Sequence, residues 1–289
     1  MRNCNTSISR IFTKKVFTDL LNKGENEIYD YIVQSYIDDC ESKTNREIIS
    51  NIYSRMGESY RNEYFYMNTL LNKLLFGIHN VNTTTALSQV RVSNHIADFV
   101  MINGDGHVYE IKSELDNLER LNTQLTDYFK AFSLVSVLSP ERERNHVESQ
   151  LKKLGKMGNA VGIYVLTDRN TIFNRDNYKL PKRFNEKLDS YCLFTLLRKK
   201  EYQNIIQEYY GYLPKVAPAF YFKKCYSMFQ CIPILEAQKK VMEELKKRNQ
   251  IKKEFYESVP LELRSLVYFY QISKDTQTLN CFLNQKYGG

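Results

Sequence analysis

H-I-A-D-F-V-M-I-N-G-D-G-H-V-Y-E-I-K-S, residues 95–113, decides how this chain is read. Two apolar-rich runs flank N-G-D-G (103–106), a combination that marks a tight connection between antiparallel strands. Successive strand side chains point to opposite faces. In the second run Val108, Glu110 and Lys112 therefore share one face, and Tyr109 and Ile111 the other. An acid and a base then stand side by side on what reads as a core strand, and buried charge is costly unless paired or bound to a metal. The length of the turn becomes decisive. A four-residue loop over 103–106 would pair Ile102 with His107 and set Asp98 opposite Ile111, on the wrong face for Glu110. A three-residue loop, Gly104-Asp105-Gly106, pairs Asn103 with His107 and Asp98 with Lys112, and Gly106 suits its left-handed last position. The expectation is an odd-length turn or a bulge.

Outward from this hairpin, apolar spacing changes period. Upstream, residues 8–56 repeat apolar positions at three- and four-residue steps and predict short helices, with a longer helix over 58–76 ending near Gly77. Residues 83–92 and 95–102 predict two strands and H-V-Y-E-I-K-S a third. A helix from Asn117 to about Phe132, a strand over 133–139, a helix over 144–154 and a strand over 160–166 follow. From about residue 182 the sequence is helical and rich in Tyr and Phe. Aromatics at helical spacing are read as core rather than as a platform for stacked bases.

The chain has 289 residues, 43% hydrophobic and 26% charged, enough for one large or two smaller domains. The longest apolar runs fall short of a membrane span, and the N-terminus lacks the apolar core of a signal peptide, so cytoplasmic residence and no membrane partner are expected. Six cysteines (4, 40, 192, 225, 231, 281) form no C-x-x-C pair and read as ordinary thiols. The four histidines offer no zinc-site spacing. No phosphate-binding loop is present, and Ser133, Ser136 and Ser139 lack a nucleophile elbow. The net charge of +8 is uneven: residues 179–289 hold 20 Lys/Arg against 11 Asp/Glu. That basic third suits a nucleic-acid surface, and solvated helix faces explain it equally well.

The order helix, three strands, helix, strand carries Asp98 in I-A-D-F-V, twelve residues before Glu110-Ile111-Lys112. It resembles the PD-(D/E)XK, or restriction-endonuclease-like, nuclease superfamily, with Ala97 where the proline would stand. The resemblance covers about residues 58–140 and extends to the strand near 166. It looks closest to small bacterial and phage members in which Y-E-I-K-S is followed by an Asp, an Arg-Leu pair, a Gln and a Tyr. Here those positions are Tyr109 to Ser113, Asp116, Arg120-Leu121, Gln124 and Tyr128. Gln124 and Tyr128 are four apart and share a helix face. They match the Q-x-x-x-Y motif of the branch that includes the RecB nuclease domain and lambda exonuclease.

The resemblance implies an α/β restriction-endonuclease-like αβββαβ core with a mixed central sheet. The core would span 58–178, between a helical N-terminal region (1–57) and a basic helical C-terminal region (179–289). It also implies phosphodiester hydrolysis with Mg²⁺ or Mn²⁺. Asp98, Glu110 and the Ile111 carbonyl would hold the metal, and Glu63 on the first helix would hold a second metal or a metal-bound water. Gln124 and Tyr128 would position substrate. The residues support this chemistry on their own terms. Phosphodiester cleavage needs an activated water and neutralised phosphate charge, which a hard cation on a few carboxylates supplies. Lys112 could orient or deprotonate that water. Arg120 reads either as a phosphate contact or as a salt bridge to Asp116. DNA is the expected partner ahead of RNA, in a setting of phage defence or mobile elements. Self-association or a protein partner through the C-terminal helices stays open. So do two rivals: a catalytically inactive binding or regulatory module, such as a phage-encoded inhibitor, and an RNase or toxin using the same site.

Overall fold

The alternating runs form a five-stranded mixed sheet in sequence order: β1 (Thr85–Val92), β2 (His95–Asn103), β3 (Asp105–Ile111), β4 (Leu134–Pro140) and β5 (Gly162–Leu166). The structure is a computed structural model, and it describes residues 8–59, 61–77, 83–114, 116–172, 179–249, 253–272 and 276–288. β1, β2 and β3 are antiparallel neighbours, while β4 runs parallel to β3 and β5 parallel to β4. Parallel neighbours need a crossover connection. The helix Leu121–Tyr128 makes the first crossover, and the helices Arg144–Lys153 and Gly155–Ala160 the second.

Two compact units make up the chain. The sheet unit comprises Thr83–Lys112 and Asp116–Gln250; the helical unit comprises Met1–Asn82, Ser113–Leu115 and Ile251–Gly289. The divisions therefore fall near 82, 112–116 and 250 rather than at the expected 57 and 178. Packing explains both shifts. In the helical unit the first helices are tied to the last ones: the Asn45 side chain donates to the Phe282 carbonyl at 3.0 Å, and that of Asn68 to the Leu261 carbonyl at 2.9 Å. In the sheet unit Phe229, Val241 and Leu245 come from the helices Pro218–Phe229 and Ile234–Lys246. They share one hydrophobic core with Val100, Val108, Val135, Ile163 and Val165 of the sheet. Each such side chain, taken fully out of water, contributes about 1.5–3 kcal/mol. Phe194, Tyr202 and Phe229 are buried there as expected of core aromatics, whereas Tyr212, Phe220 and Phe222 are exposed.

The hairpin turn departs from expectation in an instructive way. Asn103 pairs with Asp105 around Gly104, which takes the left-handed conformation at φ 79°. The turn is odd in length, but the register lies two residues from the expected one. Continued past Phe99↔Tyr109, it sets Asp98 across from Glu110 rather than Lys112. A shift of two preserves the face of every side chain. Gly106 is not the left-handed residue. It sits inside β3, where a Cβ would collide with the Phe132 ring and the Met242 sulfur, so close packing rather than a turn requires it.

Other boundaries also move. The expected helix over 58–76 is split: one helix, Asn45–Ser59, runs into its first residues, and a second, Glu63–Leu71, starts at Asn62, whose side chain accepts from the Phe65 amide at 3.2 Å. Tyr60, within that expected helix, lies outside the described residues. The helix expected from Asn117 begins at Leu121, because the Asn117 side chain accepts from the Glu119 amide and holds a turn first. Cys40, Cys192, Cys225, Cys231 and Cys281 are free thiols, and Cys4 lies outside the described residues. Among the described residues no helix is long and apolar enough to cross a membrane.

Candidate functional site

Glu110 is the centre of the site. It lies on β3 with 1% of its surface exposed, so its charge must be met from within. Lys112, two residues on along the same strand face, places Nζ 2.7 Å from Oε1. Gln124 donates from Nε2 to that oxygen at 2.5 Å and accepts from Lys112 Nζ at 2.9 Å. The Tyr128 hydroxyl lies 2.6 Å from Oε2 and 2.9 Å from the Ile96 carbonyl. Burial pushes the Tyr128 phenol far above its ordinary range, and the Glu110 carboxylate pushes it further, so it stays a hydrogen-bond donor. The four-residue spacing of Gln124 and Tyr128 puts both on the flank of the helix Leu121–Tyr128 that faces β3.

Asp98 joins from β2. Beyond Phe99↔Tyr109 the β2–β3 ladder ends, and Asp98 Oδ2 accepts the Ile111 amide at 2.8 Å in place of a backbone carbonyl. Its charge also raises the Tyr128 phenol. Asp98, Glu110, Lys112, Gln124 and Tyr128, all named from the sequence, are thus brought together. Ile111, between Glu110 and Lys112 in sequence, is buried with its amide on Asp98. Glu63 belongs to the helical unit, where it is the first residue of the helix Glu63–Leu71. An acid there is favoured by the helix dipole. Arg120 is exposed, and among the described residues its guanidinium has no ion-pair partner, Asp116 included.

Three features were missed by sequence reading. Gln89 on β1 has φ 53°, and its rung opposite Asp98 is absent from the otherwise continuous β1–β2 ladder. The core-facing residues change parity across that rung, from Leu87, Val100 and Ile102 to Val90, Val92 and Ala97. The parity change is visible in L-S-Q-V-R-V itself, and was the available signal. Non-glycine residues in this conformation cost about 1–3 kcal/mol and concentrate at functional sites. The second feature lies at Asp127, one residue before Tyr128 on the helix Leu121–Tyr128. Asp127 Oδ2 is 2.7 Å from His95 Nδ1 and accepts the Asn94 amide at 3.2 Å, while Oδ1 accepts from Lys130 Nζ at 2.6 Å. Burial alone would raise the Asp127 carboxyl, but these donors outweigh it and hold the group below its ordinary value of 3.8. The third is Arg61, which donates from Nε to Glu114 at 3.0 Å within the helical unit. Pairs distant in sequence leave no local signature.

Asp98 and Glu110 are carboxylates, the donor type a hard divalent cation takes together with water or substrate oxygens, and both Glu110 oxygens are engaged by Lys112, Gln124 and Tyr128. Among the described residues no cluster of three or more His, Cys, Asp or Glu side chains could hold a metal, so a cation here would rest on this pair.

A mixed α/β protein with a buried Glu–Lys–Gln–Tyr network on its sheet is the class these observations define. The chain belongs to the family described as Bacteriophage P4 protein cII, which it matches over residues 56–266. No curated protein and no solved structure matches it.

Proposed function

We propose that this chain is a metal-dependent nuclease that hydrolyses phosphodiester bonds of DNA, with a restriction-endonuclease-like αβββαβ core. The observation that carries the reading is the convergence of Lys112, Gln124 and Tyr128 on Glu110, beside Asp98. The order helix, three antiparallel strands, helix, parallel strand supports the same reading. Asp98 and Glu110, with the Ile111 carbonyl, would hold Mg²⁺ or Mn²⁺. A bound cation supplies phosphate neutralisation and a more acidic water. Lys112 Nζ, held by Glu110 and Gln124, is the cation of this chain that can stabilise charge developing on the phosphate. Tyr128 stays protonated and fixes the Glu110 carboxylate, and Gln124 fixes Lys112. The phage family suits a setting in mobile-element biology.

One observation favours a second reading, an inactive binding or regulatory module. Both oxygens of Glu110 already have partners within the chain. Plasmid DNA and RNA incubated with Mg²⁺, Mn²⁺ or EDTA separate the readings. The nuclease reading expects metal-dependent DNA cleavage that falls by at least about a hundredfold in Asp98→Asn, with an unchanged circular dichroism spectrum. Absence of cleavage with every metal overturns it in favour of the module, and cleavage of RNA alone overturns DNA as substrate.

A further inference from the structure

A cleft of about 650 Å³ opens in the sheet unit, lined by residues other than those that hold the Glu110 carboxylate. One wall is the end of β1 with the Ser93–Asn94 turn, the other the segment 186–189 with the helix Ser190–Thr195, and Lys130 lies between them. The volume is that of an ordinary small-ligand site. Its charges are uneven in their commitments. Lys130 is engaged by Asp127, Glu186 pairs with Lys156, and Asp189 accepts the Cys192 amide at 2.7 Å. Arg91 and Lys187 line the same cleft, and among the described residues neither has an ion-pair partner. Burial pushes the Cys192 thiol up to about 11, so it adds no negative charge.

An aromatic ring completes the set. Tyr191 is 51% exposed at the cleft, and its ring is braced edge-on by Tyr226 at 5.2 Å between centroids. Ser93, at the rim, has φ 55°, a strained conformation for a residue with a side chain. Two uncommitted cations beside a braced, exposed ring match a phosphate joined to a flat base.

We infer that this cleft binds a nucleotide unit, with the phosphate on Arg91 and Lys187 and the base against Tyr191. The unit is either a free nucleotide or one residue of a single strand. The inference does not need Glu110 to be catalytic. The test uses the full chain in EDTA, where metal-dependent cleavage is silent. Fluorescein-labelled (dT)10 is followed by anisotropy, and AMP and inorganic phosphate are added as competitors. Arg91→Ala with Lys187→Ala should weaken oligonucleotide or AMP binding by about tenfold or more. Tyr191→Ala should weaken it by about fivefold or more, and Tyr191→Phe should restore it. AMP binding on its own assigns the free nucleotide; binding of (dT)10 without AMP assigns the strand. Binding unchanged in these variants overturns the inference, as does an equal loss in Lys152→Ala with Lys153→Ala. Phosphate competing as well as AMP, with Tyr191→Ala without effect, replaces the nucleotide site by a plain anion site and overturns it too.

Discussion

Two charge groups held by the helix Leu121–Tyr128 share similar chemistry in different settings. In one, Gln124 and Tyr128 enclose the Glu110–Lys112 pair, with Glu110 1% exposed. In the other, Asp127, itself buried, meets His95, whose side chain is 22% exposed, and Lys130, at 35%. The enclosed pair cannot lose one member without stranding the other in a medium of low polarity. The partners of Asp127 reach solvent, so water can replace one that is lost. The same helix therefore carries one charge group that the fold depends on and one that it tolerates.

Glu110→Ala breaks the enclosed pair most severely. It leaves Lys112 buried without its counter-charge, held only by the neutral Gln124 amide, and should cost about 3–5 kcal/mol in urea unfolding. Tyr128→Phe removes one hydrogen bond to the same carboxylate, with an expected loss of about 1.5–3 kcal/mol by the same measurement. If Asp127→Asn proves as damaging as Glu110→Ala, the contrast between the two groups fails; the expected cost is about 1–2 kcal/mol. Its pH dependence sharpens the point. The folded carboxyl lies below its ordinary value of 3.8, so its contribution is complete above that value and is lost as pH falls through the lower, native one. The gap between wild type and Asp127→Asn should thus shrink as pH falls below about 4. Gln89→Gly tests the strained rung beside Asp98: thermal unfolding should show a gain of about 1 kcal/mol. Smallest of all, Arg91→Ala should change stability by less than about 0.5 kcal/mol, since the residue is exposed.

Alternation and turn residues made the sheet legible, and the four-residue spacing of Gln124 and Tyr128 made their shared flank legible. Asp98 and Glu110 could be placed together because a register shift of two leaves cross-strand partners on the same face. Register was not legible to the same degree. Gly104 and Gly106 are both glycine, and only packing by Phe132 and Met242 shows that the second is needed for space. The Asp127–His95 pair and the cleft were hidden because they join residues that no local period connects.

The one-glycine turn between β2 and β3 also bears on how such a sequence can change through time. A one-residue slip of β3 against β2 would turn Glu110 and Lys112 away from Gln124 and Tyr128. β4 holds β3 from its other edge, so a residue gained beside Gly104 has to be taken up by the loop. Length variation in related chains should therefore be absorbed at this turn while β3 stays in place, a pattern that an alignment of them would reveal without a single assay.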